Sequence, residues 1–384
     1  MTMTSTEPAA RFNDENLQKA DEFVQPYEAW KEAEGIPSYR GFVVDNLFDL
    51  ELAPWKSRGG SAAFVNLTGS GGFNDAYVYE LAPRESSTPV RHIYEEVVFI
   101  LKGQGATTVW IEGKEKQTFE WRDRSFFAIP PNASHQYHNL SGTEPARFVA
   151  VTAAPRVINT FRNNDFVFNN PYVFSDRFDG ESGYFTETEK PVGKRQWKTN
   201  FVGDVLARGP LAARAQGEDV KVQQMSSGFK TVNQALGFDM VDSTVYAHSS
   251  SWPVGTYKPS HRHGAGIHIV ILRGIGYTLM WPEGGPITKF DWSPGSFIVP
   301  PDGWFHQHFN AGAEPVFFLA IGGTNDAPNG SGRNYQIYRS TRDGGDRIFY
   351  EEEDPAVHSD FEALLEKAGA TCQMGKVHPF CTHK

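Results

Sequence analysis

Cysteine is nearly absent. Cys372 and Cys381 are the only two in 384 residues, and both lie near the C-terminus. No disulfide framework is indicated. Neither has a histidine at metal-finger spacing, so no zinc site is expected from them. Long apolar runs are also missing, which excludes a membrane-spanning helix. The opening MTMTSTEPAARFNDEN has no apolar core of the kind a signal peptide needs, so a cytoplasmic protein is expected. Clustered basic residues are lacking and the formal net charge is −10. A phosphate backbone would be repelled, and no basic helix-turn-helix pattern stands at either end, so nucleic acid is not an expected partner.

Aromatic residues make up 14% of the chain, with 37 glycines and 24 prolines. That mixture favours many short strands joined by turns. The length suits two domains of ordinary size. An internal repeat supports the division. RHIYEEVVFILKGQGATTVWIEG at 91–113 aligns with RHGAGIHIVILRGIGYTLMWPEG at 262–284, and FEWRDRSF at 119–126 with FDWSPGSF at 290–297. His92 and His263, Gly103 and Gly274, Trp110 and Trp281, His135 and His306, and Asn139 and Asn310 share one offset of 171 positions. Two copies of one module account for that constancy.

Each copy reads as short strands such as VVFILKG and HIVILRG, broken by Gly and Pro-Pro turns. The expected fold is all-β, with two tandem jelly-roll barrels and short terminal helices. The expected organisation is an N-terminal extension over 1–60, a first barrel over 61–160 and a linker over 161–235. A second barrel over 236–325 and a C-terminal extension over 326–384 complete it. NLQKADEFVQPYEAWKEAEG carries a helical pattern that Pro26 should break or kink. DPAVHSDFEALLEKAG, at 354–369, has apolar residues at helical spacing and should pack on a barrel.

SHRHGAGIHIVILRGIG, at 260–276, sets His261 and His263 two apart at the lip of an apolar strand. Residues i and i+2 of a strand share a face, so the two imidazoles should project together. With His306 placed opposite by the repeat, they form a candidate divalent-metal triad. His308, two residues after His306, should face the same cavity, either as a proton donor or acceptor or as a hydrogen-bonded pocket histidine. His268 should turn to the opposite face. Arg262, between the two ligands, should point away and serve as a surface or interface residue. Trp281, Trp304, Tyr277 and Phe305 surround the motifs as core aromatics that could also stack on an aromatic substrate.

These motifs resemble the cupin superfamily, and in their duplication a bicupin. The family's first motif has the form G-x5-H-x-H-x3,4-E-x6-G and its second P-x-G-x2-H-x3-N. The second copy supplies His261, His263 and Gly274, then Pro301, Gly303, His306 and Asn310. The first supplies Glu96, Gly103, His135 and Asn139. The resemblance covers roughly residues 75–155 and 245–325. Both copies depart from the full ligand set. Ile267 stands where the second copy would have its glutamate, and Val90 replaces the first histidine of the other, leaving His92, Glu96 and His135 as a possible second site.

Three neutral imidazoles leave a divalent ion its full charge, which favours an anionic and preferably bidentate substrate. The set is similar to that of the gentisate and salicylate dioxygenases. That resemblance implies Fe(II) as cofactor and O2 with a small hydroxylated, aromatic carboxylate as substrates. In those enzymes the metal sits in the N-terminal barrel, whereas the complete triad here is C-terminal. Mn, Ni or Zn would instead suit an isomerase, lyase or decarboxylase, and a non-catalytic ligand-binding bicupin is the third reading. Exposed sheet edges suggest a homo-oligomer.

Overall fold

Val97, Val98, Phe99 and Ile100 are all buried within the strand Glu96–Lys102. An unbroken apolar run of this kind belongs in a sheet covered on both faces, and burying each such side chain is worth about 1.5–3 kcal/mol. The strand pairs antiparallel with Ala146–Thr152 on one side and Phe126–Ile129 on the other. Asp75–Leu81 and Ser61–Val65 extend the same sheet beyond Ala146–Thr152. A second sheet of Ser134–Asn139, Gln104–Trp110 and Gln117–Arg122 closes the first barrel.

The computed structural model describes residues 24–186, 190–193, 196–208, 223–224, 230–231, 234–322 and 335–383. Its second barrel repeats the first. Gln234–Asp239, Ala247–Trp252, Val316–Ile321, His268–Arg273 and Phe297–Ile298 form one sheet. Thr288–Trp292, Gly276–Trp281, Phe305–Asn310, Ser260–His261 and Arg347–Ile348 form the other. The architecture is all-β, two jelly-roll barrels with few short helices. Among the described residues no helix is long and apolar enough to cross a membrane.

The repeat extends to individual hydrogen bonds. Trp121 Nε1 donates to Thr107 Oγ1 at 2.9 Å, and Trp292 Nε1 to Thr278 Oγ1 at 3.0 Å. Asn139 donates its side-chain amide to the carbonyls of Leu81 and Ala82, as Asn310 does to those of Trp252 and Pro253. Gly105 and Gly276 are required for the same reason. A Cβ would lie 2.2 Å from the His138 carbonyl oxygen in one barrel and 2.0 Å from that of Phe309 in the other.

The flanking segments join the barrels. Val43–Val44 pairs with Phe297–Ile298 of the second barrel, and Phe201–Val202 with Phe126–Phe127 of the first. The helix Pro26–Glu34 starts at Pro26, after the non-helical Val24 and Gln25, because the first helical turn needs no N–H from that residue. The part of the expected helical segment before residue 24 lies outside the described residues. The helix Pro355–Lys367 forms as expected, with the Asp354 carboxylate accepting from the Ala356 N–H.

Candidate metal centre

His261 ends the short strand Ser260–His261, which pairs with Phe305–Asn310 so that His261 lies opposite His306. His263 is past the strand end, so the expected side-by-side projection from one strand does not occur. The chain instead bends His263 back toward the pair, where its carbonyl accepts from the Gly303 N–H at 3.0 Å. Ring centroids are 4.4 Å apart for His261 and His306, 4.5 Å for His263 and His306, and 5.7 Å for His261 and His263. One nitrogen of each lies within 4.8 Å of the others.

The tautomers suit a metal. His261 Nδ1 faces the Pro259 carbonyl at 3.3 Å, His263 Nδ1 that of Gly264 at 2.8 Å, and His306 Nδ1 that of Trp304 at 3.3 Å. A carbonyl accepts only, so each Nδ1 carries the proton and each Nε2 keeps its lone pair. Burial, followed by the neighbouring imidazoles, pushes His261 and His306 well below the usual histidine range, and burial holds His263 at about 4. The unfolded chain therefore binds more protons below the ordinary histidine value. Metal-free protein should lose stability as pH falls from about 6.5 toward 4, measurable by denaturant titration at stepped pH.

Thr278, His308 and Lys258 lie near the triad. Thr278 Oγ1 holds His308 Nδ1 at 2.8 Å, and His308 sits 5.4 Å from His306 between centroids. Lys258, half-buried, extends its Nζ to 5.3 Å from the Phe318 ring and 5.9 Å from that of Trp252. Both rings also contact His308, at 5.8 and 6.3 Å. Among the described residues no carboxylate pairs with the lysine. Burial, and secondarily the charge of Arg347, lowers Lys258 to about 7. No sequence motif marked it.

Several expected residues lie elsewhere. Arg262 does point away from the triad, but it is buried rather than on the surface. It bridges Asp346 and Glu283, each at 2.7 Å, and covers the Phe305 ring. Tyr277 stacks on Phe309 on the side of the C-terminal helix, Trp281 stacks on Phe305, and Trp304 packs against Phe42. The aromatic rings against His308 are Trp252 and Phe318 instead. His268 is turned to Ser70, which it meets at 3.2 Å.

The first barrel holds a sealed counterpart. His92 Nε2 is 3.4 Å and His135 Nε2 4.0 Å from the Glu96 carboxylate, and Tyr137, at the repeat position of His308, donates to Glu96 Oε1 at 2.5 Å. His92 Nε2, His135 Nε2 and Glu96 Oε2 are buried without a hydrogen-bond partner, a donor set that fits a divalent ion. However, the Arg58 guanidinium stands 4.0 Å from the same Glu96 oxygen. Burial works to raise the Glu96 carboxyl, yet His92, His135 and Arg58 hold it well below the usual carboxylate range. Arg58 already supplies much of the counter-charge that a metal would bring.

Residues 77–152 match the family model described as Cupin domain. No curated protein matches the chain. Among solved structures, a deletion mutant of Bacillus subtilis oxalate decarboxylase is similar, with 16% identity and a TM-score of 0.47 over 74% of this chain and 77% of that one. Another structure of that enzyme, concerned with its Mn(II) centres, has 16% identity and a TM-score of 0.47 over 74% and 78% of the two chains. A third, on substrate binding and reaction specificity in oxalate decarboxylase, has 15% identity and a TM-score of 0.46 over 74% and 78%.

Proposed function

We propose that the second barrel is the active site of a metal-dependent enzyme that cleaves or rearranges a small, chelating organic acid without consuming oxygen. His261, His263 and His306 would hold the ion, with Mn(II), Zn(II) or Ni(II) as candidates. When bound, that ion supplies Lewis acidity and open positions for the oxygens of the acid. No carboxylate among the ligands offsets its charge, so an anion is drawn into the cavity.

The observation that carries the reading is Lys258. Its Nζ lies among aromatic rings next to the triad, with no acidic partner among the described residues, and its proton is held near neutrality. An amine in that state is suited to general acid catalysis at pH 7. It would protonate the carbon left electron-rich when carbon dioxide departs or when a neighbouring proton is removed. The approach of an anionic substrate raises the lysine again and so loads the proton. Thr278 fixes His308 against the same Trp252 and Phe318 rings that Lys258 reaches, where it would orient the bound acid.

The second reading is a ferrous dioxygenase acting on a hydroxylated aromatic carboxylate, and the all-imidazole donor set supports it. The deciding experiment loads metal-free protein with Mn(II) or Fe(II) and offers dicarboxylic and hydroxybenzoic acids. Oxygen uptake and carbon dioxide release are followed together, in air and under argon. Turnover undiminished under argon is expected; product formation that stops without oxygen would replace this reading by the second. Lys258→Met should lower kcat by about 10²–10⁴ with metal content unchanged, as the loss of a general acid requires.

A further inference from the structure

The chain's two cysteines lie together, although no short motif joins them to a histidine. His358 and Glu362 are one turn apart on the helix Pro355–Lys367, and the C-terminal tail returns Cys372 and Cys381 beneath them. Cys372 Sγ is 3.5 Å from Cys381 Sγ and 4.0 Å from His358 Nε2. Glu362 Oε1 is 3.1 Å from His358 Nε2 and 3.7 Å from Cys381 Sγ. All four donor atoms lie within 4.8 Å of one another.

We propose that His358, Glu362, Cys372 and Cys381 form a structural zinc site that fastens the C-terminal tail to the second barrel. Bond lengths of about 2.3 Å to sulfur and 2.0–2.2 Å to nitrogen and oxygen give tetrahedral edges of roughly 3.4–3.8 Å. The four measured edges bracket that range. Two thiolates with an imidazole and a carboxylate select zinc over the harder ions, and four protein donors leave no open position for substrate.

The surroundings prepare the histidine. Tyr257 donates its hydroxyl proton to Glu353 Oε1 at 2.6 Å, so its oxygen accepts from His358 Nδ1–H at 3.0 Å. That bond leaves the Nε2 lone pair directed at the cluster, the outer-shell arrangement metal-binding histidines require. His378 stacks on His358 at 4.0 Å and also contacts Glu353 Oε1 at 3.1 Å. His383, half exposed, is 3.8 Å from Glu362 and stands outside the four donors. Burial pushes the Cys372 thiol up, so loading the site has to displace the proton of that thiol. The site braces Tyr257, the residue immediately before Lys258. Its ligands are separate from the triad, so it stands or falls independently of the proposed reaction.

The test uses full-length protein from zinc-supplemented cells. Zinc-edge X-ray absorption should show two sulfur neighbours at about 2.3 Å. Exchange with Co(II) should produce a thiolate-to-cobalt charge-transfer band in the near ultraviolet. That band should persist in a His261→Ala/His306→Ala background and vanish in Cys372→Ser and in Cys381→Ser. The serine variants should also melt at lower temperature and release their tail to proteolysis earlier. Absence of sulfur from the zinc shell, absence of the band in otherwise folded protein, or recovery of the two cysteines as a disulfide from anaerobic, zinc-replete preparations would overturn the proposal. The sulfur-specific readouts do not depend on the serine variants folding.

Discussion

Replacing His261, His263 or His306 singly by Ala is expected to abolish turnover while leaving the unfolding midpoint of the metal-free protein within a few degrees of the parent. The three side chains converge from a strand end, the irregular segment after it and the facing strand. Their Nδ1 atoms are tied to backbone carbonyls, so the Nε2 atoms, which the proposed ion would take, do little for the packed barrel. Around them Trp252, Ile269, Met280, Trp292, Ile298 and Phe318 are buried in one apolar cluster that no histidine holds together. Metal content after anaerobic loading should fall by about one equivalent, consistent with loss of a ligand from a site that barrel packing has preformed. A variant that keeps its ion and more than a tenth of its activity would show that the chemistry lies elsewhere.

Glu96→Ala should have the opposite profile. Glu96 is fully buried and faces Arg58, His92, His135 and Tyr137. Removing it leaves the Arg58 guanidinium buried with Tyr94 as its remaining hydrogen-bond partner there. Breaking a buried charge network by deleting one member costs about 3–5 kcal/mol. The expected result is a large drop in denaturation midpoint, with metal bound at the second barrel and turnover per folded molecule little changed. Glu96→Gln, which keeps an acceptor for Tyr137, should recover part of the stability. If Glu96→Gln folds normally yet is inactive and lacks the metal of the second barrel, the two barrels have been assigned the wrong roles.

Much of this was legible in the chain. The offset of 171 was visible because both barrels reuse the same close contacts. Gly105 and Gly276, Trp121 and Trp292, and Asn139 and Asn310 each answer a steric or hydrogen-bonding need that no other residue meets as well. The meeting of His261, His263 and His306 was legible because the repeat sets His306 on the strand facing the first pair. The surroundings of the triad were not. Its place between the two ligands makes Arg262 read as a surface or interface residue, but the C-terminal segment folds over it and supplies Asp346. Lys258 and Arg58 have no motif, because each is defined by what tertiary structure packs around it. The spacing of the two cysteines carries no sign of a site. Their partners come from a helix ending before Cys372, where an i,i+4 His–Glu pair was the only local sign.

One pairing bears on how the protein is made. Val43–Val44 forms the edge of the sheet that contains Phe297–Ile298, although the helix just before it packs in the core of the first barrel. During synthesis this early segment has to wait for a partner about 250 residues downstream, roughly 12–50 seconds at ribosomal speeds of ~5–20 residues per second. Throughout that interval the first barrel can close, but its leading arm carries an unmatched strand edge, a surface open to foreign chains. A gene split between the barrels would make this permanent, leaving the second half without its edge strand and the first half with an adhesive one. The two halves should therefore aggregate when expressed apart and become soluble when co-expressed.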